Sequence, residues 1–304
     1  MPVPLRVETM PPGPPRRDNV FRGIGLILLT TCFFTTSDVA SKYLADHVPA
    51  LQITWLRYCA FLAIILAIAF RTGKARLRTK RPVLQVLRGL GVVASSILFV
   101  SSLKYLAIAD ATATSFVTPL FVTALSIPLL GETVGWRRWL ATLVGLVGVL
   151  IVVRPGGAGF QLASLLPVVS ALSWAFGLIM TRMMSTTENP ITTLAYSAIV
   201  GFIILTAMLP LQWQPLSGQT ILIGMFIGIA STIGHWLLIL AYRHADASLL
   251  APFSYAQLLW ASLFGYFLFA VLPDIWTLVG AVIIAGSGLY TAHRERIRAR
   301  LIKA

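Results

Sequence analysis

The chain has 304 residues, 57% of them hydrophobic and 11% charged, where a soluble domain carries roughly 25% charge. That excludes a soluble enzyme and a disordered protein and leaves a polytopic membrane protein. The net charge of +14 would suggest nucleic acid in a soluble protein. Here aromatic residues are not interleaved with the basic ones, so no nucleic-acid partner is expected.

Residues 1–21 hold Pro11, Pro12, Pro14 and Pro15 with Arg16 and Arg17, and are expected to form a flexible basic tail. The apolar run that follows is too long for a signal-peptide core and lacks a small-residue cleavage site, so it reads as a retained helix. Ten apolar segments follow, near 22–44, 51–70, 85–106, 110–130, 136–153, 162–182, 191–210, 219–241, 247–271 and 275–291. Each has about the 20 residues a bilayer crossing needs. The connections, such as 45–50 and 272–274, leave no room for a soluble domain. Residues 293–304 form a basic C-terminal tail. Cys32 and Cys59 lie inside apolar runs and read as small buried side chains rather than a disulfide or a metal pair.

Charge orients the spans. With the N-terminus in the cytoplasm, 20 of the 24 basic residues fall on the inner side, and only Lys42, Arg57, Lys104 and Arg154 fall in the outer half. This positive-inside bias places both termini in the cytoplasm and the protein in the plasma (bacterial inner) membrane.

The two halves of the chain resemble each other. Tyr105-Leu106-Ala107-Ile108-Ala109-Asp110-Ala111-Thr112 recurs as Tyr242-Arg243-His244-Ala245-Asp246-Ala247-Ser248 with one deletion, and Lys42 and Pro49 match Arg182 and Pro190. Five spans per half is an odd number, so the second copy enters the membrane from the opposite side. The loops agree: 71–81 carries six basic residues and its counterpart, 210–219, none. The expected fold is therefore all-α, ten transmembrane helices as two inverted five-helix repeats, 22–153 and 162–292. Inverted repeats of this kind are a secondary-transporter pattern, with a midplane site between the copies.

At this point the chain resembles the drug/metabolite transporter superfamily, in its ten-helix form with two EamA-type repeats. The residues that carry the resemblance are Asp38-Val39-Ala40-Ser41-Lys42-Tyr43-Leu44, Trp55-Leu56-Arg57-Tyr58, Pro119, and Gly131-Glu132 followed by Trp136-Arg137-Arg138-Trp139. The second half departs from the pattern: Ala270-Val271 replaces Gly-Glu, and Tyr255 stands near the place of Pro119. The resemblance implies transport. It also implies a lean toward export of amino acids or similar amphipathic metabolites, with import of a vitamin- or nucleotide-like solute as the alternative.

Helical phase supplies candidates for the cavity. On the third span Arg88, Ser95, Phe99 and Ser102 share a face; on its repeat mate Ser231, His235 and Tyr242 have the same phase, so His235 answers to Phe99. Phe34 and Ser37 on the first span, Thr118 on the fourth, Trp174 on the sixth, and Tyr255 and Gln257 on the ninth complete an aromatic wall with scattered hydroxyls. Any one Ser or Thr can instead bond its own backbone or pack at a helix interface. A titrating His235 would couple transport to protons. Asp38 and Arg57 lie at equal depth, roughly 9 Å below the outer surface, and are expected to pair, because an isolated charge there is costly. Lys42, one turn above Asp38, could share it. The pair is either a structural ion pair or a functional one, an outer gate or a contact for a substrate carboxylate. Glu132 reads as a loop partner of Arg137 and Arg138. Ala141, Gly145 and Gly148 on the fifth span and Ala281, Ala285 and Gly288 on the tenth are small-residue packing faces, and Pro119, Pro128 and Pro252 are helix-breaking hinge candidates.

No hydrolase or phosphate-binding motif occurs, and only four His and two Cys are present, widely scattered. The chain is therefore read as a non-enzyme with no cofactor or metal. A structural or signalling membrane protein is the alternative of another class. Monomer and homodimer both stay open.

Overall fold

The structure is a computed structural model and describes residues 20–72, 78–131, 136–154, 161–184, 187–244, 250 and 253–303. The described residues form eleven α-helices: α1 (Val20–Ala45), α2 (Ala50–Thr72), α3 (Pro82–Leu103), α4 (Ile108–Ser115), α5 (Thr118–Leu130), α6 (Trp136–Val153), α7 (Leu165–Met184), α8 (Pro190–Met208), α9 (Gly218–His244), α10 (Ala256–Phe269) and α11 (Ile275–Lys303). Long runs of Leu, Ile, Val and Ala leave only backbone groups to satisfy, and a helix satisfies them within the segment, as lipid requires. Buried hydroxyls follow the same rule. Thr30 donates to the Leu26 carbonyl at 2.8 Å, Thr35 to Thr31 at 2.9 Å and Ser41 to Ser37 at 2.8 Å.

Among the described residues, seven helical lengths are long and apolar enough to cross a membrane, and α4 and α5 together count as one of them, Ile108–Leu130. Three shorter apolar helices, Leu143–Val153, Ala256–Phe269 and Ile275–Tyr290, add to these. The protein is thus an integral membrane protein whose secondary structure, among the described residues, is all helical. α1 already includes Val20 and Phe21, and the basic residues 293–303 continue α11 as helix.

The break between α4 and α5 has a local cause. Pro119 has no N–H to give the Ser115 carbonyl. The Thr118 hydroxyl takes that carbonyl instead, at 2.7 Å. Helix ends are also set by sequence. Asn189 caps α8 by accepting from Ile191 N at 2.9 Å, ahead of Pro190 in the first turn. Gly131 closes α5 in the left-handed region (φ 68°), and Ala270 closes α10 in the same conformation (φ 54°).

Packing pairs α1 with α9, α3 with α7 and α6 with α11; α2 lies against α8 and α9, α3 also against α8, α5 against α7, and α10 against α1 and α4. Glycines set the closest of these approaches. A Cβ on Gly148 would stand 2.9 Å from the Gly280 carbonyl, and one on Gly280 would stand 2.6 Å from the Gly148 carbonyl. The small-residue face of α6 therefore meets α11 backbone to backbone, at Gly280 rather than at the expected Ala281, Ala285 and Gly288, of which Gly288 faces Tyr255. A Cβ on Gly228 of α9 would stand 2.6 Å from the Arg57 carbonyl of α2.

The end of the bundle where α1 begins is called the near end, and the opposite one the far end. At the far end, Gln52 donates to the Gln214 carbonyl at 2.8 Å, Lys42 donates to the carbonyls of Leu103 and Leu106 at 2.8 and 3.0 Å, and Arg154 pairs with Asp274. At the near end, Glu188 in the turn before α8 accepts from Lys80 N at 2.8 Å and from Gln85 at 3.3 Å.

Candidate functional site

A cavity of about 230 Å³ opens between α1, α2, α3, α7, α9 and α10 and the α4–α5 break. Eight of the ten cavity candidates line it: Phe34, Ser95, Phe99, Thr118, Trp174, Ser231, His235 and Gln257. Asp38 and Arg57 line it too. Phe99 and His235, matched by helical phase in the sequence, thus face one space.

The walls are aromatic, and His235 is their centre. Its ring lies 4.9 Å from that of Phe34 (edge-on), 6.3 Å from that of Phe61 (stacked) and 6.3 Å from that of Trp174 (edge-on). His235 Nδ1 stands 2.8 Å from the Ser231 carbonyl. A carbonyl only accepts, so Nδ1 carries the proton and Nε2 of the neutral ring is an acceptor.

Most hydroxyls in the wall have already spent their protons. Ser115 donates to the Ala111 carbonyl at 2.9 Å and Thr118 to Ser115. Ser170 donates to the Ser95 carbonyl at 2.8 Å, which leaves Ser95 to donate to Ser170 Oγ at 3.0 Å. These groups offer a solute lone pairs only. Tyr58 is hydrogen-bonded to Ser96. The remaining polar capacity of the cavity lies mainly with Asp38, Arg57, His235 and Gln257.

Three expectations are corrected. Asp38 and Arg57 share the cavity but do not pair: Arg57 donates from Nε and Nη2 to Ser231 Oγ at 3.1 and 2.6 Å, and Asp38 is hydrogen-bonded by Gln257. Among the described residues the ion pair within 4 Å is Arg154–Asp274. Neutral partners on α9 and α10 reach the two charges first. Lys42 does not share Asp38. It caps the carbonyl end of α3, where the helix dipole favours a cation, and its Nζ lies 5.7 Å from the centre of the Phe269 ring. Ser37 and Tyr255 stand outside the cavity. Ser37 is fully buried and donates to the Ile227 carbonyl at 3.1 Å, tying α1 to α9; Tyr255 packs edge-on against Phe116 at 5.0 Å and against Gly288 of α11.

Of the hinge candidates, Pro119 sits in the first turn of α5 and Pro128 inside it. Pro252, Glu132 and Asp246 lie outside the described residues, as do the side chains of Arg137, Arg138, Ala141 and Tyr242. The sequence reading missed Tyr58, Phe61 and Ser96 in the wall. The signal for Phe61 was its place one turn after Arg57, on the same face.

What surrounds the cavity differs at the two ends. Toward the far end, Leu44, Ala45, Val48, Ile53, Val100 and Ile227 form an apolar cluster. On α1, Leu44 lies six residues beyond Asp38, roughly 9 Å farther along the helix. The cluster thus divides the cavity from a vestibule of about 570 Å³ lined by Asp46, His47, Lys104, Tyr105, Gln212 and Trp213. Toward the near end, Arg88 of α3 donates to Thr181 Oγ1 at 2.8 Å, to the Thr193 carbonyl at 3.2 Å and to Ser197 Oγ. It closes α3 onto α7 and α8.

Comparison with known proteins agrees with this architecture. The chain is 31% identical over 274 residues to an S-adenosylmethionine uptake transporter of Rickettsia felis, covering 90% of this chain and 93% of that one. It is 33% identical over 257 residues to a riboflavin transporter of Vibrio cholerae, covering 83% and 86%. A solved crystal structure superposes with a TM-score of 0.61 at 19% identity over 90% of this chain and 98% of its own, a likeness of fold alone. The profile of the EamA-like transporter family matches twice, over residues 21–154 and 161–291. The chain belongs to the EamA-like transporter family of the drug/metabolite transporter superfamily.

Proposed function

We propose that the protein takes up a small organic solute bearing a flat heterocycle, vitamin- or nucleotide-like, by alternating access of the central cavity. The observation that carries this is the cavity itself: three aromatic rings packed around an imidazole acceptor, with two opposite charges at its edge. The relatives named for uptake of S-adenosylmethionine and riboflavin support import of such a solute over the export of amino acids that the resemblance first suggested.

In this reading the ten spans are two inverted five-helix halves, 22–153 and 162–292, with both termini in the cytoplasm and the near end facing it. The packing supports the inversion. Exchanging the halves turns α1·α9 into α7·α3, α2·α9 into α8·α3 and α1·α10 into α7·α5, while α6·α11 and α2·α8 map onto themselves, and all these pairs occur. The far apolar cluster and the near Arg88 contacts then act as the two barriers that must open in turn.

Purified protein in proteoliposomes tests the proposal. Uptake of radiolabelled S-adenosylmethionine or riboflavin is expected. Trp174→Ala should weaken the apparent affinity about 5- to 30-fold, the order of one lost ring–ring stack of ~1–2 kcal/mol. Flux of neither solute, with no binding in detergent, would sink the reading and leave a non-transport role.

A further inference from the structure

We infer that the solute carries a zwitterionic α-amino-acid head, held with its ammonium at Asp38 and its carboxylate at Arg57. The inference rests on the uptake reading and deepens it.

Opposite unit charges in a medium of low dielectric attract strongly, and a lone charge at this depth is costly. Yet Asp38 and Arg57 front one cavity and each is bound by a neutral neighbour instead, Gln257 and Ser231. Both acceptor contacts of the guanidinium go to one oxygen, Ser231 Oγ. That leaves Nη1 without a protein acceptor among the described residues, and a carboxylate fits the planar fork that Arg presents. An anion alone would answer Arg57 and repel Asp38; a cation alone would do the reverse. An ammonium and a carboxylate one carbon apart answer both, and the loaded site gains no net charge from the head. The rest of the solute then lies along Phe34, His235 and Trp174. His235 Nε2 can accept from a ring amine, such as the exocyclic amine of a purine. A flavin offers neither charge and would leave Asp38 and Arg57 unanswered.

The test uses the full chain in proteoliposomes, with labelled S-adenosylmethionine as the probe and three unlabelled competitors. S-adenosylhomocysteine has the same head without the sulfonium charge, 5′-methylthioadenosine has the ring and sugar without the head, and riboflavin has a ring without either charge. Binding in detergent, read by thermal shift, is the second measurement. S-adenosylhomocysteine should compete at least about tenfold better than the two headless solutes, the worth of a charge-assisted hydrogen bond. In Arg57→Gln and Asp38→Asn that advantage should collapse, with methylthioadenosine binding held within about twofold. Equal competition by headless and head-bearing solutes in the natural protein overturns the inference, whether or not the variants fold. Transport of riboflavin but not S-adenosylmethionine overturns it and leaves the uptake reading standing. Transport and binding of none of the four overturns both.

Discussion

Two arginines stand at matching depths from opposite ends of the bundle. Arg57 lies seven residues into α2 from the far end and Arg88 six residues into α3 from the near end, each roughly 10 Å deep. Each reaches a serine on a neighbouring helix, Ser231 on α9 and Ser197 on α8. Their surroundings differ. Arg88 has three acceptors, on α7 and α8, and does not line the cavity; Arg57 has one acceptor and does. A buried cation is tolerated in proportion to the hydrogen bonds that replace its water. Arg88 is thus satisfied by the fold, and Arg57 is left partly open for what enters. The same residue type serves as a rivet toward the near end of the bundle and, in the proposed uptake, as a receptor group toward the far end.

The sharpest way to break this contrast is to remove the rivet. Arg88→Met should remove the donor that ties Thr181 of α7 to Ser197 and the Thr193 carbonyl of α8, leaving those groups only the bonds within their own helices, and lower stability by ~1–3 kcal/mol. Thermal unfolding in detergent would show it as a large drop in Tm, where Arg57→Gln should move Tm less and flux more. An Arg88→Met protein as stable as the natural one would end the distinction. Next in size is Gly228→Ala. The new methyl would meet the Arg57 carbonyl and Ala60 Cβ at about the 2.6 and 2.5 Å of the ideal position, forcing α2 off α9 at ~1–3 kcal/mol. Solute affinity should fall with it, because Arg57 moves away from Ser231.

A third substitution sharpens the comparison of the halves. Gly131 and Ala270 end their helices with positive φ, but only the first is glycine. Ala270→Gly should stabilise the protein by roughly 0.5–1 kcal/mol through relieved backbone strain, offset in part by the freer unfolded chain. Equilibrium unfolding would measure it, with flux unchanged. The smallest effect belongs to the near-end turn. Slight desolvation pushes the Glu188 carboxyl up, but hydrogen bonds from Lys80 N, Thr79, Gln85 and Arg81 N outweigh it and hold the group below the ordinary glutamate value. A depressed carboxylate contributes stability above its unfolded pKa of about 4.3 and loses it as pH falls through the lower folded value. Glu188→Gln should therefore flatten a slight fall in Tm below about pH 4.5 and leave neutral pH unchanged.

Sequence reading found the cavity through phase and contrast. His235, Gln257, Asp38 and Arg57 stand out as polar groups in apolar helices, and their depth along the chain is countable. It did not find which neighbour each would meet. Arg57 bonds a serine 174 residues away, and Lys42 bonds backbone carbonyls 61 and 64 residues away; no local pattern encodes either. Ser37 shares the phase of its cavity neighbours, yet α9 covers it. Phe61 has no contrast in an apolar run, so an aromatic wall built from such residues stays silent until the helices are packed. Gly224 and Gly228 form a four-residue step of the kind that lets membrane helices touch. That signal was present in the sequence and overlooked.

Among the described residues, no side chain of α6 or α11 lines the central cavity, and the two meet through Gly148 and Gly280. Selection for a new cargo can therefore rework the aromatic chamber without disturbing this joint. Heritable drift in what is carried and constancy in how the molecule is braced become separate matters, written in different stretches of the gene.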